Sequence, residues 1–423
     1  MTTHPQSRLT HFPIQDVNLP SSFAADFLSE LSKATEKDKN GENLHHSLRV
    51  AVIAHKIGKK AGLDKKSLKE LFFSALLHDI GGVITTQHVM EDIVQTPDIL
   101  GQKNDFFIFS HPHRSETMLQ SFPTFRAISE VVGSHHEFFD GSGFPAGLSG
   151  KNIPFLSRII RIADTVDILL RLHTFNKSDE LLGLLNIIAG EEFDPDIYKI
   201  FVEIVTGTNL LEKLKTAEVV EAEISQIKKT MEDDYYFSSP DTINRFFKTV
   251  AILTDNLTSF EDNHSLRVAE ISVQIAYLLD LDQEEVLSIR WAAFLHDIGK
   301  LVGNREVYTK KEKLSEKEWL MIRTHSQRSY DIINKIGGMK KIAYYILHHH
   351  ENFDGTGYPE NLSGKRIPLA SRILRVADAF DAMTSNRIYH RKKDWQRALK
   401  ELRKYSGTQF DPEIVETFFA NIS

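Results

Sequence analysis

Apolar residues recur at helical spacing ahead of two closely similar phrases. Leu71, Ala75, Leu76 and Leu77 lead into His78-Asp79, and Trp291, Phe294 and Leu295 lead into His296-Asp297. Residues three and four apart share a helix face, so each run predicts a helix with a buried side. Ile-Gly follows each pair at once, a helix-ending signal that sets the His and Asp at the C-terminal end of that helix. Asp194-Pro195 and Asp411-Pro412 read as helix starts, with Asp as the cap and Pro at the first helical position; no chemistry is assigned to them. LEKLKTAEVVEAEISQIKKTMEDD, from Leu211, patterns as an amphipathic, solvated helix, and YYFSSPD after it as a turn with a helix start at Ser239 to Asp241. No sustained alternation of apolar and polar positions predicts a strand. The expected fold class is all-α.

The chain repeats itself. HSLRV at His46 returns at His264, LLHDIGG at Leu76 as FLHDIGK at Phe294, and HHEFFDGSGFP at His135 as HHENFDGTGYP at His349. The offset is constant up to the HD pairs, and a short insertion in the first copy lies between Gly82 and His111. Two tandem helical bundle domains follow: 44–206 and 248–423, joined by a helical linker over 207–247 and preceded by an N-terminal segment, 1–43, with no legible motif.

Composition narrows the chemistry. With 41% hydrophobic and 26% charged residues the chain reads as soluble and globular, and no apolar run reaches the roughly 18 residues of a membrane span. The opening MTTHPQSRLTHFPIQ has no basic region followed by an apolar run, and a cytoplasmic location is expected. The absence of cysteine excludes disulfides, thiol nucleophiles and thiolate ligands, so any metal must sit on nitrogen and oxygen. A net charge of −7 gives no footprint for polymeric nucleic acid, whereas a small anion needs only a local cluster of Lys and Arg.

Ten of the 19 histidines stand at repeat-matched positions. They are His46, His78, His111, His135 and His136 in the first copy and His264, His296, His325, His349 and His350 in the second, with Asp79 and Asp164 matching Asp297 and Asp378. A lone His on an apolar face is usually a packed core residue. Burying five imidazoles and two carboxylates together, twice, would cost several kcal/mol without a compensating cation. Imidazole with carboxylate suits Fe, Mn, Co, Ni or Zn, and seven donors exceed one tetrahedral site but suit two metals sharing a carboxylate.

With these motifs both halves resemble HD-GYP domains, a subfamily of the HD-type metal-dependent phosphohydrolases, over roughly 40–205 and 255–420. The resemblance implies that His264, His296, Asp297 and Asp378 hold one metal and that Asp297 bridges to a second on His325, His349 and His350. The first copy would use His46, His78, Asp79, Asp164, His111, His135 and His136 in the same way. A subset of the family takes a third metal on a Glu four residues before the first His, a spacing that puts it on that residue's helix face. Glu42 stands there in the first copy and Phe260 in the second, with Glu261 pointing elsewhere. Divalent Fe or Mn is the implied cofactor, two in the second domain and two or three in the first. Asp167 and Asp381 either orient a ligand or serve as structural caps and hydrogen-bond partners.

The family's substrate is a cyclic dinucleotide, usually cyclic di-GMP, and the resemblance carries over its phosphate and rim residues. Lys300 and Arg387 would bind phosphate, Tyr358 of the GYP loop and Tyr389 would line the site, and Asp297 with Lys300 would serve catalysis. In the first copy Gly82 replaces the Lys, Phe144 the Tyr of the loop, and His173 the Arg, with Arg171 nearby. Catalysis is therefore expected in the second domain, by attack of water on phosphorus to give linear pGpG, with continuation to GMP left open, and a regulatory, sensing or structural role in the first. Two alternatives stay open: a phosphodiesterase for mixed cyclic GMP-AMP, and a metal-bound cyclic-dinucleotide receptor without turnover. Association as a homodimer or with a partner signalling protein is also left open.

Overall fold

The computed structural model of the chain describes residues 19, 22–36, 45–81, 105–120, 125–172, 178–231, 240–258, 263–302, 307–308, 310, 312–385 and 394–422. Among the described residues there are helices, short 3-10 turns and no strands, only isolated bridges at Ala189–Phe193 and Ser406–Phe410, so the fold is all-α as expected. No described helix is long and apolar enough to cross a membrane. The chain separates into two compact units, one within Ala24–Asp234 and the other within Tyr235–Ser423 together with the chain up to Phe23.

In the first unit the helix His46–Lys60 is buried over most of its length and packs on Lys65–Leu77 and Phe155–Leu172. Asp64 caps Lys65–Leu77 by accepting from the Ser67 amide at 2.8 Å, and the helix is buried from Leu71 to its end, where His78 follows as C-cap. The apolar stripe read from the sequence is thus the stripe that drives this helix inward. The second unit repeats the plan: His264–Leu278 packs on Gln283–Leu295 and Leu369–Thr384, Asp282 caps by accepting from the Glu285 amide, and His296 is the C-cap. Its core gathers Val273, Ile289, Ile373, Leu402, Phe410 and Phe418. Burying side chains of this size contributes about 1.5–3 kcal/mol each, enough to hold polar groups at the helix ends inside the unit.

Asp194 and Asp411 accept from the amides of Asp196 and Glu413, each at 2.9 Å, with Pro195 and Pro412 opening the helices. Both carboxylates also pair with a half-buried Arg, Arg158 and Arg372. Within 207–247 the amphipathic helix forms as Ala217–Lys229, but it lies in the first unit rather than in solvent. Val220, Ile224 and Ile227 form one buried stripe, and Glu223 pairs with Lys56 at 2.7 Å. Pro240–Thr258 belongs to the second unit, where Phe247 meets Trp291 edge-on at 5.3 Å.

Candidate metal centres

The first histidine of each set opens a helix whose N-terminus is fixed from outside. His45 and Asn263, just before it, take left-handed backbone (φ 53° and 58°). Glu36 accepts from the Ser47 amide at 3.1 Å, and Asp255 from the Ser265 amide at 2.9 Å, satisfying donors that the first turn leaves free. The HD pairs are fixed by a serine on the next histidine's helix. Ser115 accepts from the Gly81 amide (2.9 Å) and donates to the His78 carbonyl (3.1 Å); Ser329 does the same with Gly299 and His296, both at 2.8 Å. The helices approach so closely here that a Cβ on Gly299 would lie 2.3 Å from the His325 carbonyl oxygen. Glycine in the HDIG motif is therefore a packing requirement.

The loop after the paired histidines hangs on a buried glutamate. Glu137 accepts from the amides of Ala146 (2.6 Å) and Leu148 (2.8 Å), and Glu351 from Glu360 (2.7 Å) and Leu362 (3.1 Å). The ring of Phe144 stacks on His136 with centroids 5.0 Å apart, and that of Tyr358 on His350 at 4.9 Å. The aromatic residue of the loop thus covers the last histidine of the set in both copies.

Asp79 and Asp297 stand at the centre of these groups. In the second unit Asp297 Oδ2 lies 3.3 Å from His296 Nε2 and 3.8 Å from His264 Nε2, while Oδ1 lies 3.3 Å from His325 Nε2. His325 Nε2 is in turn 3.3 Å from His349 Nε2 and 3.2 Å from His350 Nε2, and Asp378 Oδ1 is 3.5 Å from His264 Nε2. In the first unit Asp79 Oδ2 faces His46 (3.7 Å) and His78 (3.5 Å), and Oδ1 faces His111 (3.1 Å) and His135 (3.5 Å). Asp164 Oδ1 is 3.4 Å from His46 Nε2, and His136 joins Asp79, His111 and His135 in one cluster of donor atoms. Each carboxylate therefore turns one oxygen to each of two histidine groups. Donors about 2.1 Å from a common metal lie roughly 3.0–3.4 Å apart, so these groups could hold metal ions with little rearrangement.

The remaining ring nitrogens set the tautomers. Nδ1 of His78, His135, His296, His325 and His349 meets a backbone carbonyl oxygen at 2.6–2.8 Å. Nδ1 of His46 meets Asp167 at 2.6 Å, and that of His264 meets Asp381 at 2.7 Å. A proton held on Nδ1 leaves the Nε2 lone pair for a cation. Burial pushes His135 and His325 down to about 4 and lowers His136, His349 and His350 well below the ordinary range, so these imidazoles are neutral donors at pH 7. Burial opposes ionisation of Asp79 and Asp297, but the adjacent histidines, joined by Lys300 in the second unit, hold both carboxyls well below the usual carboxylate range.

All the expected aspartate and histidine donors come together in these groups, and Asp167 and Asp381 reach a ring nitrogen directly. Lys300 pairs with Asp297. Arg171, the candidate substitute cation of the first copy, is 3.0 Å from Asp167 Oδ2. Glu42, Arg387 and Tyr389 lie outside the described residues, as do Gly82, Phe260, Glu261 and His173. Sequence reasoning passed over Ser115, Ser329, Glu137, Glu351 and the carboxylates Glu36 and Asp255 that cap the first-histidine helices. It also passed over Arg161, which in the first unit donates to His136 Nδ1 (2.9 Å), Asp164 (3.3 Å) and Glu192 (3.1 Å).

A helical bundle that buries HD pairs among histidines is the arrangement of a metal-dependent phosphohydrolase. The chain belongs to the HD domain family, whose profile matches residues 19–197 and 249–414. It is 28% identical to "3'3'-cGAMP-specific phosphodiesterase 3" of Vibrio cholerae serotype O1 over 91% of this chain and 92% of that protein. It is 24% identical to "3'3'-cGAMP-specific phosphodiesterase 1" of the same organism over 90% and 88%. A "Cyclic di-GMP phosphodiesterase" of Thermotoga maritima is 31% identical over 45% of this chain and 52% of its own length. Among solved structures, a cyclic GMP-AMP specific phosphodiesterase of V. cholerae (V-cGAP3) superposes with a TM-score of 0.61 at 25% identity, covering 94% of this chain and 96% of that one.

Proposed function

We propose that the chain is a metal-dependent phosphodiesterase of cyclic dinucleotides whose second unit carries the reaction, with 3'3'-cGAMP as its substrate. The observation that carries this reading is the buried Asp297, whose two oxygens face the His264/His296 group and the His325 group separately. Relatives aligned over nearly their whole length, both halves included, are specific for 3'3'-cGAMP, which ranks that substrate ahead of the cyclic di-GMP expected from motifs alone. Cyclic di-GMP is the second reading, favoured by the Thermotoga relative that aligns with about half of the chain.

His264, His296, Asp297 and Asp378 would hold one divalent ion, and Asp297, His325, His349 and His350 the other, with the matching set in the first unit. Such ions, when bound, supply Lewis-acid polarisation of the phosphodiester and an activated water. The chain's own residues do the rest. Asp381 holds the Nδ1 proton of His264 and the backbone carbonyls hold those of His296, His325 and His349, which keeps these four Nε2 atoms aimed inward. Lys300, paired with Asp297, would exchange that carboxylate for a phosphate oxygen of the substrate. Tyr358 walls the site beside His350 and excludes water from that flank. Arg387 and Tyr389 would complete the grip on substrate.

The first unit keeps the donor set while its sequence replaces Lys300 by Gly82 and Tyr358 by Phe144, which favours a regulatory or sensing role there. The test is product formation from 3'3'-cGAMP and from cyclic di-GMP by full-length protein loaded anaerobically with Mn or Fe, beside Asp79→Ala and Asp297→Ala. Loss with Asp297→Ala and retention with Asp79→Ala are expected, with faster turnover of 3'3'-cGAMP. The reverse pattern would exchange the roles of the units, and turnover that survives both changes would end the metal-centred reading.

A further inference from the structure

The two units differ most at the lip of the site, on the helix that precedes the third histidine. In the second unit this helix, Glu316–Arg323, is opened by a complete capping box between Ser315 and Glu318 and runs straight into His325. Its last residue, Arg323, lays its guanidinium over the ring of Tyr358 at 5.4 Å from the centroid. Tyr358 in turn stacks on His350 at 4.9 Å. Guanidinium, phenol and imidazole thus form a continuous stack from solvent to the candidate metal centre. Arg323 is exposed and, among the described residues, has no carboxylate within ion-pair distance. One turn back on the same face, Trp319 is 52% exposed, an unusual placement for the largest aromatic side chain.

The first unit fills the same positions with hydrocarbon. Phe109, at the position matching Arg323, is 51% exposed and meets Phe144 edge-on at 4.9 Å, and Phe144 stacks on His136 at 5.0 Å. The position matching Trp319 is Asp105. The scaffold has been kept, and the hydrogen-bonding groups differ: a guanidinium fork and a phenol hydroxyl on one side, none on the other.

We infer that Arg323, placed over the ring of Tyr358, is a specificity-determining residue that takes a guanine base of the substrate at the lip of the second unit, with Trp319 extending the stacking face. A guanidinium fork matches the O6 and N7 acceptors of guanine in a bidentate way and cannot make the same pair with adenine, which presents a donor at N6. A purine also has a π-face that stacks on arginine planes and aromatic rings whatever its identity. Guanine is common to 3'3'-cGAMP and cyclic di-GMP, so this contact selects both against cyclic di-AMP, and choice between the first two lies elsewhere. The first unit, with phenylalanines at these places, can stack a purine but cannot read it.

This inference rests on the proposed cyclic-dinucleotide reading, and its test separates the two. Equilibrium dialysis with metal-loaded full-length protein measures Kd for 3'3'-cGAMP, cyclic di-GMP and cyclic di-AMP, and turnover is followed in parallel. Arg323→Ala should weaken both guanine-containing ligands roughly ten- to hundredfold. It should leave cyclic di-AMP within about threefold and raise KM far more than it lowers kcat. Arg323→Phe with Tyr358→Phe, the first unit's pair, should retain stacking yet bind all three ligands alike. Arg323→Lys should not rescue, because an ammonium lacks the fork. An unchanged Kd for the guanine ligands, or equal losses for all three in Arg323→Ala, would overturn the assignment. Arg323-dependent binding without turnover in the wild type would sink the catalytic reading and leave this one standing, whereas absence of both binding and turnover would sink both.

Discussion

The sharpest test of how the second centre is built is Asp381→Asn, which keeps the side chain's shape and removes its charge. Asp381 is 1% exposed and accepts from His264 Nδ1 at 2.7 Å, Arg267 Nε at 2.5 Å, Arg267 Nη2 at 3.1 Å and Ser385 Oγ at 3.0 Å. Hydrogen bonds to a charged group contribute about 1.5–3 kcal/mol and neutral ones about 0.5–1.5, so each charge-assisted bond weakens by about 1 kcal/mol. Only the bond to His264 reaches the candidate metal, so about 1 kcal/mol of basicity and orientation is lost there. That corresponds to roughly fivefold weaker metal binding, just under the tenfold at which the effect of such partners usually begins. The losses at Arg267 fall on the fold instead, where about 1–2 kcal/mol should appear as a lower melting temperature of the metal-free protein.

The pH sign follows from the same contacts. Burial raises the Asp381 carboxyl, but the bonds from His264 and Arg267 bring it down to about 2, so its contribution is present above the ordinary carboxylate value and lost as pH falls through about 2. His264 is raised by the same pair against its burial, so in metal-free protein its share is present below about 6.5 and lost as pH rises through its elevated value. The assay is a chelator competition on Mn-loaded protein, run beside Asp167→Asn, with thermal melts of the metal-free forms. A midpoint that stays put in Asp381→Asn while the melt falls would refute the argument and make Asp381 a structural cap for Arg267 alone.

Further outcomes follow from the supporting contacts. Gly299→Ala places a methyl 2.3 Å from the His325 carbonyl oxygen and 2.5 Å from the Ser329 amide, so the melt should fall by about 1–3 kcal/mol, whereas Gly150→Ala, with open space around it, should cost only its left-handed backbone strain. Glu351→Gln leaves one carbonyl oxygen for two amides now served by the carboxylate, and should loosen the loop by about 1–3 kcal/mol, read as faster hydrogen exchange at Glu360 and Leu362. Glu318 is held down to about 2 by Lys310 and Ser315, so the capping box should persist above the ordinary carboxyl value and open as pH falls through about 2; Ser315→Ala should abolish that transition in exchange of the Glu316–Arg323 helix. Dialysis against a chelator should lower the melting temperature of the full chain, and re-addition of metal at a hundredfold excess over Kd should restore about 2.7 kcal/mol; an unchanged melt would separate these clusters from metal altogether.

What the sequence made legible is what it says twice in register. The HD pairs, the paired histidines and the late aspartates were found because each recurs at a matched position, and a buried helix end is a costly place for an unpartnered imidazole. Ser115/Ser329 and Glu137/Glu351 also recur in register, so the signal was present, yet a serine or glutamate reads equally well as a solvated residue until its donors are known. Glu36 and Asp255 carried no such signal, because they stand at unmatched positions and differ in length while capping the same kind of helix. The linker reading went astray for a related reason. An amphipathic stripe says that one face is buried, and the sequence does not say against what: Val220, Ile224 and Ile227 found the first unit's core.

The pattern of difference between the copies bears on why a duplicated chain keeps both. Where a substitution would leave a buried charge or an unpaired imidazole, the copies agree: both retain the central aspartate, the histidines, the serine clasp and the loop glutamate, each part of a closed set of polar contacts. Where side chains meet solvent, they diverge, with Phe109 and Phe144 in the first unit at the positions of Arg323 and Tyr358 in the second. Removing one member of the buried set costs several kcal/mol in a fold that is stable by about 5–15, whereas a change at the lip costs little. The conserved interior is therefore what either unit needs in order to fold, and carries no proof that both turn over substrate. Activity has to be argued from the lip, where the second unit places Arg323 at the position that Phe109 takes in the first.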